Sequence, residues 1–251
     1  MNKTKQKVNA AIVIIGNEIL SGRTQDVNVI TVSKWLNELG VKLNEVRVIP
    51  DIESSIIKTV NELKKKFNYV FTTGGIGPTH DDITSKSIAR AFRMSYGYHK
   101  EAYAILEKYY GKNKFSLGRK KMAMMPIKAS LILNPSSGAP GFILDNVYCL
   151  PGVPSILKSM LGGLNNKIKG GRKIFSKTIS VQTVESEIAK SLEKVQRKSK
   201  KVDIGSYPFF RLGKIGVSIV IRSIDKKKID DCYKEIVSFL KKKKIIMIGE
   251  K

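Results

Sequence analysis

The segment Thr72-Thr73-Gly74-Gly75-Ile76-Gly77-Pro78-Thr79-His80-Asp81-Asp82-Ile83-Thr84 gathers glycines and a pair of adjacent acids into one short loop. Glycine tolerates positive φ and lets backbone come close to a ligand. Amides at a helix start can hold a phosphate. Two neighbouring carboxylates repel a bare phosphate, so Asp81 and Asp82 make sense where a divalent cation lies between carboxylate and phosphate. Two common phosphate motifs are excluded. A dinucleotide fingerprint needs glycine at 80, where His80 stands, and the Lys-Ser/Thr ending of a P-loop is missing. The competing structural reading is that Asp81 or Asp82 caps the next helix, helped by Thr84. Capping accounts for one acid and leaves the glycines unexplained, so the loop is read as functional.

Such a loop has to be positioned by a strand on one side and a helix on the other. Residues 69–73 read as a strand that ends at the loop. Before it, residues 11–15 form an apolar, β-branched run suited to a strand buried on both faces. Val29, Val32, Trp35, Leu36 and Leu39 recur at helical spacing, and Gly40 closes that helix. A second strand covers 41–49, and Pro50 and Asp51 open a helix carrying Ile56, Ile57, Val60 and Leu63. Repeated β-then-α steps argue for a parallel sheet covered by helices. In open sheets of this kind ligands bind outside the carboxyl ends of the strands.

Further along, helices are expected at 101–110 and 117–125, the latter stopped by Pro126. Met122, Met124 and Met125 read as core filler. Short strands at 130–133, 142–144 and 147–150 precede a helix at 155–164. A Gly, Asn and Lys-rich break spans 162–171. Beyond it, strand 174–181, helix 184–197, strands 202–208 and 216–222, helix 229–240 and strand 245–248 follow the β-α-β-β-α-β order of a ferredoxin-like domain. The domains expected are 8–168 and 172–251. A Gly-x-x-Gly at Gly213 to Gly216 sits before a strand and reads as a hairpin turn.

The charge is +25, from 46 Lys and Arg against 21 Asp and Glu. Such an excess attracts polyanions. Lysine runs at 64–66, 198–201 and 241–244 fall at expected helix C-termini, where cations face the negative end of the dipole. The run at 226–228 opens a helix. Few aromatics interleave with these runs, which argues for solvated surface and against a nucleic-acid partner. No apolar run approaches the ~20 residues needed to cross a bilayer. The stretch 10–15 after the basic lead, Met1 to Asn9, is too short for a signal-peptide core. A cytoplasmic protein with no membrane partner is expected. Cys149 and Cys232 lack partner spacing, which excludes a disulfide framework or cysteine zinc site. His80 is read either as an acid/base or as no more than an exposed side chain, and His99 has no supporting context.

Four stretches together resemble a known family: Ile15-Gly-Asn-Glu-Ile-Leu-Ser-Gly-Arg23 with Asp26 and Asn28, Thr72 to Asp82, Asn134-Pro-Ser-Ser-Gly-Ala-Pro-Gly141, and Leu150-Pro-Gly-Val-Pro-Ser155. The chain resembles the N-terminal part of competence/damage-inducible protein A (CinA), within the molybdopterin-binding MoaB/Mog-like superfamily. The resemblance implies a three-layer, mostly parallel α/β domain followed by a small ferredoxin-like, KH-type α+β domain, usually in a homo-oligomer. It implies a site for a phosphorylated nucleotide or pterin. The associated activity is hydrolysis of nucleotide pyrophosphates such as ADP-ribose or FAD, dependent on a divalent metal (Mg, Mn or Co) and testable with potassium. The alternative it carries is a non-catalytic molybdopterin or nucleotide binder linked to molybdenum cofactor synthesis. The expected form stands alone, without the C-terminal amidase domain of full-length CinA.

Carried over to matching positions, Gly74, Gly75, Gly77 and Thr79 cradle phosphate, and Asp81 and Asp82 bind a cation or orient the attacking water. Glu18 is a further ligand or a general base. Asn17, Ser21 and Asn28 contact ribose or phosphate, while Ser137, Gly138 and Pro140, with Gly152 and Pro154, frame the far wall. For Glu18 and Ser21, local loop hydrogen bonding competes with that role. The chain departs from the family at Ser136 and Ser137, where Gly and Thr are more usual. Those side chains are expected to narrow the pocket or change its substrate.

Overall fold

Continuous apolar strands are stable only when both faces are covered, and the first part of the chain is built that way. A computed structural model describes residues 8–211 and 213–248. The lead before residue 8 and the end of the expected second domain, 249–251, lie outside the described residues. The chain divides into two compact units, Met1–Gly171 and Arg172–Lys251.

The first unit runs β1 (Asn9–Ile15), α1 (Asn17–Leu20), α2 (Asn28–Glu38), β2 (Lys42–Ile49), α3 (Glu53–Lys66), β3 (Tyr69–Thr73), α4 (Thr84–Ala91), β4 (Tyr96–Tyr98), α5 (Lys100–Tyr110), α6 (Leu117–Lys121), β5 (Met124–Pro126), β6 (Ser130–Ile132), β7 (Gly141–Leu144), β8 (Val147–Leu150) and α7 (Pro154–Leu161). The main sheet has the order β2-β1-β3-β8-β7-β6. β2, β1, β3 and β8 are parallel, and only β7 runs against its neighbours. Alternation along β1 serves two cores. Ala11, Val13 and Ile15 pack with Ile56, Val60 and Leu63 of α3 and Ile88 of α4. Ile12 and Ile14 pack with Val32 and Leu36 of α2 and Leu157 and Met160 of α7. The result is the three-layer, mostly parallel α/β arrangement expected.

The second unit runs β9 (Phe175–Gln182), α8 (Glu185–Lys198), β10 (Asp203–Arg211), β11 (Lys214–Ser223), α9 (Lys226–Lys242) and β12 (Ile246–Ile248). Its sheet, β10-β11-β9-β12, is antiparallel throughout, which is the ferredoxin-like order. Ile179, Val181, Val217 and Ile219 of the sheet meet Ile188 and Leu192 of α8 and Ile236 of α9. Gly213, at φ 75, lies in the β10–β11 hairpin, as its sequence context suggests. The lysines that open α9 follow Asp225, whose side chain accepts from the backbone N–H of Lys227 and Lys228.

Some elements differ from expectation. The helix expected over 117–125 stops at Lys121, and Met124–Pro126 forms a strand against Tyr96–Tyr98. The reason is local. A residue before proline is pushed out of the helical region, so Met125 is extended, and it is buried at 1 % exposure. Asp51 does not open α3, which starts at Glu53 without a side-chain cap. The helix expected over 155–164 begins with Pro154 at its first position and ends in a separate 3-10 turn, Gly162–Leu164. Both cysteines are free and buried, and burial pushes the Cys149 thiol up to about 12. Among the described residues, no helix is long and apolar enough to cross a membrane.

Candidate functional site

Four parallel strands place their carboxyl ends along one edge of the sheet, and the loops that leave them meet there. β3 delivers Gly74. Its φ is 98, and a Cβ on it would fall 2.2 Å from the Ile15 carbonyl oxygen at the end of β1. Gly75, at φ 68, presses against Thr84 at the start of α4, where a Cβ would lie 2.1 Å from Oγ1. Only glycine fits at either point. The bond from Thr84 N–H to the Gly75 carbonyl (2.9 Å) closes the loop onto its helix.

The loop bounds a cleft of about 580 Å³, in the size range of small-molecule sites. β1 contributes Glu18, β2 contributes Asp51, and the β3 loop contributes Gly74, Gly75, Gly77, Asp81 and Asp82. The far wall is Asn134, Ser137 and Pro140 after β6, with Gly152 and Pro154 after β8. Among the described residues, four carboxylates line the cleft, and no Lys, Arg or His does.

Asp82 is held in place. Its Oδ2 accepts from the Thr79 N–H (2.7 Å) and hydroxyl (2.5 Å). The N-cap of α4 is Ile83, with no side-chain cap, so the capping explanation for the acids is not what is seen. Asp81 is exposed. Its carboxyl is held below the ordinary range, first by the Thr79 hydroxyl, then by its own backbone N–H, with the charges of His80 and Lys121 adding to this. That hydroxyl has one proton and directs it at Asp82, so Asp81 feels its proximity rather than a second full bond. The Lys121 ammonium donates to the Thr79 carbonyl and anchors the turn from outside.

Glu18 lies in the first turn of α1, its carboxylate folded over Gly16 and without a hydrogen bond or ion pair among the described residues. Several residues named from the sequence are placed elsewhere. Thr79 positions Asp82 and does not line the cleft. Asn17 is exposed, and only its backbone acts, donating to Asp51 Oδ2 at 2.8 Å. Ser21 bonds the Glu18 carbonyl at 3.3 Å, which is the local reading of that residue. Gly138 lies under the Tyr109 ring, where a Cβ would come within 2.5 Å. Asn28 is buried and donates from Nδ2 to the Gly152 carbonyl at 2.8 Å, tying α2 to the far wall. It lines a side chamber of about 70 Å³ that shares Glu18, Gly74 and Gly152 with the cleft.

Sequence reasoning missed others. Asp51 lies two residues beyond the end of a parallel strand, which was the available signal. Met122, read as core filler, borders the cleft. Asn134 organises the β6–β7 loop, accepting from Ser136 and Ser137 N–H and donating to Ser137 Oγ and the Ala139 carbonyl. Ser137 faces the cleft, whereas Ser136 bonds Ser159. His99 caps α5 and bonds the Ala129 carbonyl, a structural role.

A mostly parallel sheet covered on both faces, with glycine and acid loops at its carboxyl edge, defines a three-layer α/β domain. Residues 11–169 match the family described as "Probable molybdopterin binding domain", and the chain belongs to that MoaB/Mog-type family. Residues 173–248 match "FAD synthase, middle domain". A protein of Archaeoglobus fulgidus is 33% identical over 93% of this chain and 98% of its own length. A CinA-like protein of Prochlorococcus marinus is 28% identical over 92% of this chain and 57% of its own. The crystal structure of CinA, of unknown function, from Thermoplasma acidophilum is similar at TM-score 0.60 and 29% identity, over 64% of this chain and 99% of that one.

Proposed function

We propose that this chain hydrolyses the pyrophosphate bond of a nucleotide such as ADP-ribose or FAD, with a divalent cation (Mg, Mn or Co) as cofactor. The observation that carries the reading is the charge of the cleft: four carboxylates, no basic side chain, and a glycine loop beside them. A free polyphosphate is repelled by such a wall, but a cation–polyphosphate pair is not. Among the described residues there is no cluster of three or more His, Cys, Asp or Glu fit to cage a metal. That suits an ion held by one or two carboxylates together with substrate phosphates.

Asp81 and Asp82 would hold the ion, which neutralises phosphate charge and polarises the bond to be cut. Gly75 and Gly77 offer backbone donors to phosphate oxygens without the bulk of side chains, while the Gly74 N–H is bonded to the Leu150 carbonyl at 3.1 Å and lets the backbone approach closely. Thr79 keeps Asp82 aimed at the cleft, so little is lost in ordering it when substrate arrives. Glu18, which lines the cleft with an unpaired carboxylate among the described residues, accepts the proton of the attacking water. Water oxygen bonds to one phosphorus, the bridging P–O bond breaks, and two phosphate monoesters leave. Assembly into a homo-oligomer is part of the proposal and is read by sedimentation.

The test is hydrolysis of ADP-ribose and FAD by the purified chain with Mg, Mn or Co, with and without potassium. Turnover is expected, and Asp82→Ala is expected to remove it while the melting temperature stays near that of the parent. Unchanged hydrolysis by Asp82→Ala with each metal would sink the assignment. Tight binding of nucleotide or phosphorylated pterin without product would make the chain a carrier instead.

A further inference from the structure

We propose that the side chamber beside Asn28 recognises an amino group projecting from the heterocycle of the ligand. The inference rests on the reading that a phosphorylated nucleotide or pterin occupies the cleft. The chamber opens from it through Ile15, Glu18, Thr24, Gly74, Gly152 and Pro154, which line both.

Asn28 and Thr73 line the chamber, at 4% and 1% exposure. The orientation of the Asn28 amide is fixed by chemistry. A carbonyl only accepts, so the atom facing the Gly152 carbonyl has to be Nδ2. Oδ1 is turned away, buried and without a partner among the described residues, and Thr73 Oγ1 is in the same state. Folded proteins satisfy nearly all buried polar atoms. Two unsatisfied ones beside one chamber are an uncompensated cost until a ligand meets them.

The rest of the wall says which ligand group. Glu18 and Asp26 bring carboxylates, and no Lys, Arg or His lines the chamber. One Asp26 oxygen is taken by the Val29 N–H at 2.9 Å. The side-chain wall is thus rich in acceptors and poor in cationic donors, and it selects a hydrogen-bond donor over an anion. A cavity of about 150 Å³ holds a benzene ring, so 70 Å³ admits a substituent and leaves its ring in the main cleft. An amino group carries two N–H donors, one for each unsatisfied oxygen, where a hydroxyl carries one.

ADP and IDP differ at the exocyclic position, amino in one and oxo in the other, and serve as probes with the whole chain and Mg in a calorimetric titration. The parent is expected to bind ADP about tenfold or more tightly than IDP, because an oxo group carries no N–H donor for Asn28 Oδ1. Thr73→Val, close in shape but without the hydroxyl, is expected to lose most of that preference with its melting temperature equal or raised. Thr73→Ser keeps the hydroxyl and is expected to keep the preference. Equal binding of ADP and IDP by the parent overturns the chamber assignment and leaves the nucleotide reading standing. So does a preference that survives intact in Thr73→Val. If neither nucleotide binds, the nucleotide reading fails and the chamber assignment with it.

Discussion

At the scale of single residues, the site depends on positions where one atom too many is not tolerated. Gly75→Ala puts a methyl onto Thr84 Oγ1 in a left-handed backbone conformation. It is expected to cost about 1–3 kcal/mol of stability, seen as a lowered midpoint in urea, with loss of ligand binding at temperatures where the fold persists. A midpoint equal to the parent's would mean that the loop relaxes freely. Asp51 acts one step removed. Its carboxylate receives the first N–H of α1, a charge-assisted bond at a helix start, and so fixes the helix that carries Glu18. Asp51→Asn keeps the size and drops the charge. The proposed hydrolysis should fall about tenfold, close to 1.4 kcal/mol of barrier, with the melting temperature little changed. A parent-like kcat would show that Glu18 needs no such support.

At the scale of elements, what the sequence revealed depended on whether the deciding force was local. β1, β3 and α2 declare themselves through β-branched runs and helical spacing, because their partners cover whole faces. β4 and β5 pair through three residues each, too few for periodicity, and the extended Met125 was legible only through the proline after it. The site was legible where a motif is contiguous, at 74–82. Ser137 and Pro140 of the β6–β7 loop were legible through a second contiguous stretch, 134–141, whereas Asp51 reaches the cleft by strand order, which no motif announces. On β2, the edge strand, Arg47 pairs Glu45 (2.8 Å) and Glu62 of α3 (2.6 Å), and Lys66 pairs Glu45 (2.6 Å). The Lys66 bond first, and Arg47 second, lower the Glu45 carboxyl in the folded state. A lowered carboxyl supports the fold fully above the ordinary carboxylate range and loses that support as pH falls through the lowered value. Melting temperatures of parent and Glu45→Gln, compared from about pH 7 to about pH 3, should differ at neutral pH and converge in acid. These groups are partly solvated, so the gap should be small. A gap that is constant with pH would assign it to packing.

At the scale of the molecule, a chain of net charge +25 carries a cleft whose charged side chains, among the described residues, are all acids. On the proposed reading, the general field would draw polyanions in and the cleft would accept them once a cation accompanies them. That division of labour does not call on the second unit, whose core, built on Ile179, Val217 and Ile236, is its own. Every residue of the candidate site, and both cores that flank its sheet, belong to Met1–Gly171. A segment of that size buries enough surface to fold alone. Residues 1–171, expressed by themselves, should therefore melt in one cooperative calorimetric transition and bind Mg and ADP with an affinity within about threefold of the whole chain, a difference under 1 kcal/mol. Cooperative melting with binding lost would mean that the second unit completes the site. A broad, non-cooperative melt would mean that the first unit leans on the second for its fold, and the cores described for it would not suffice.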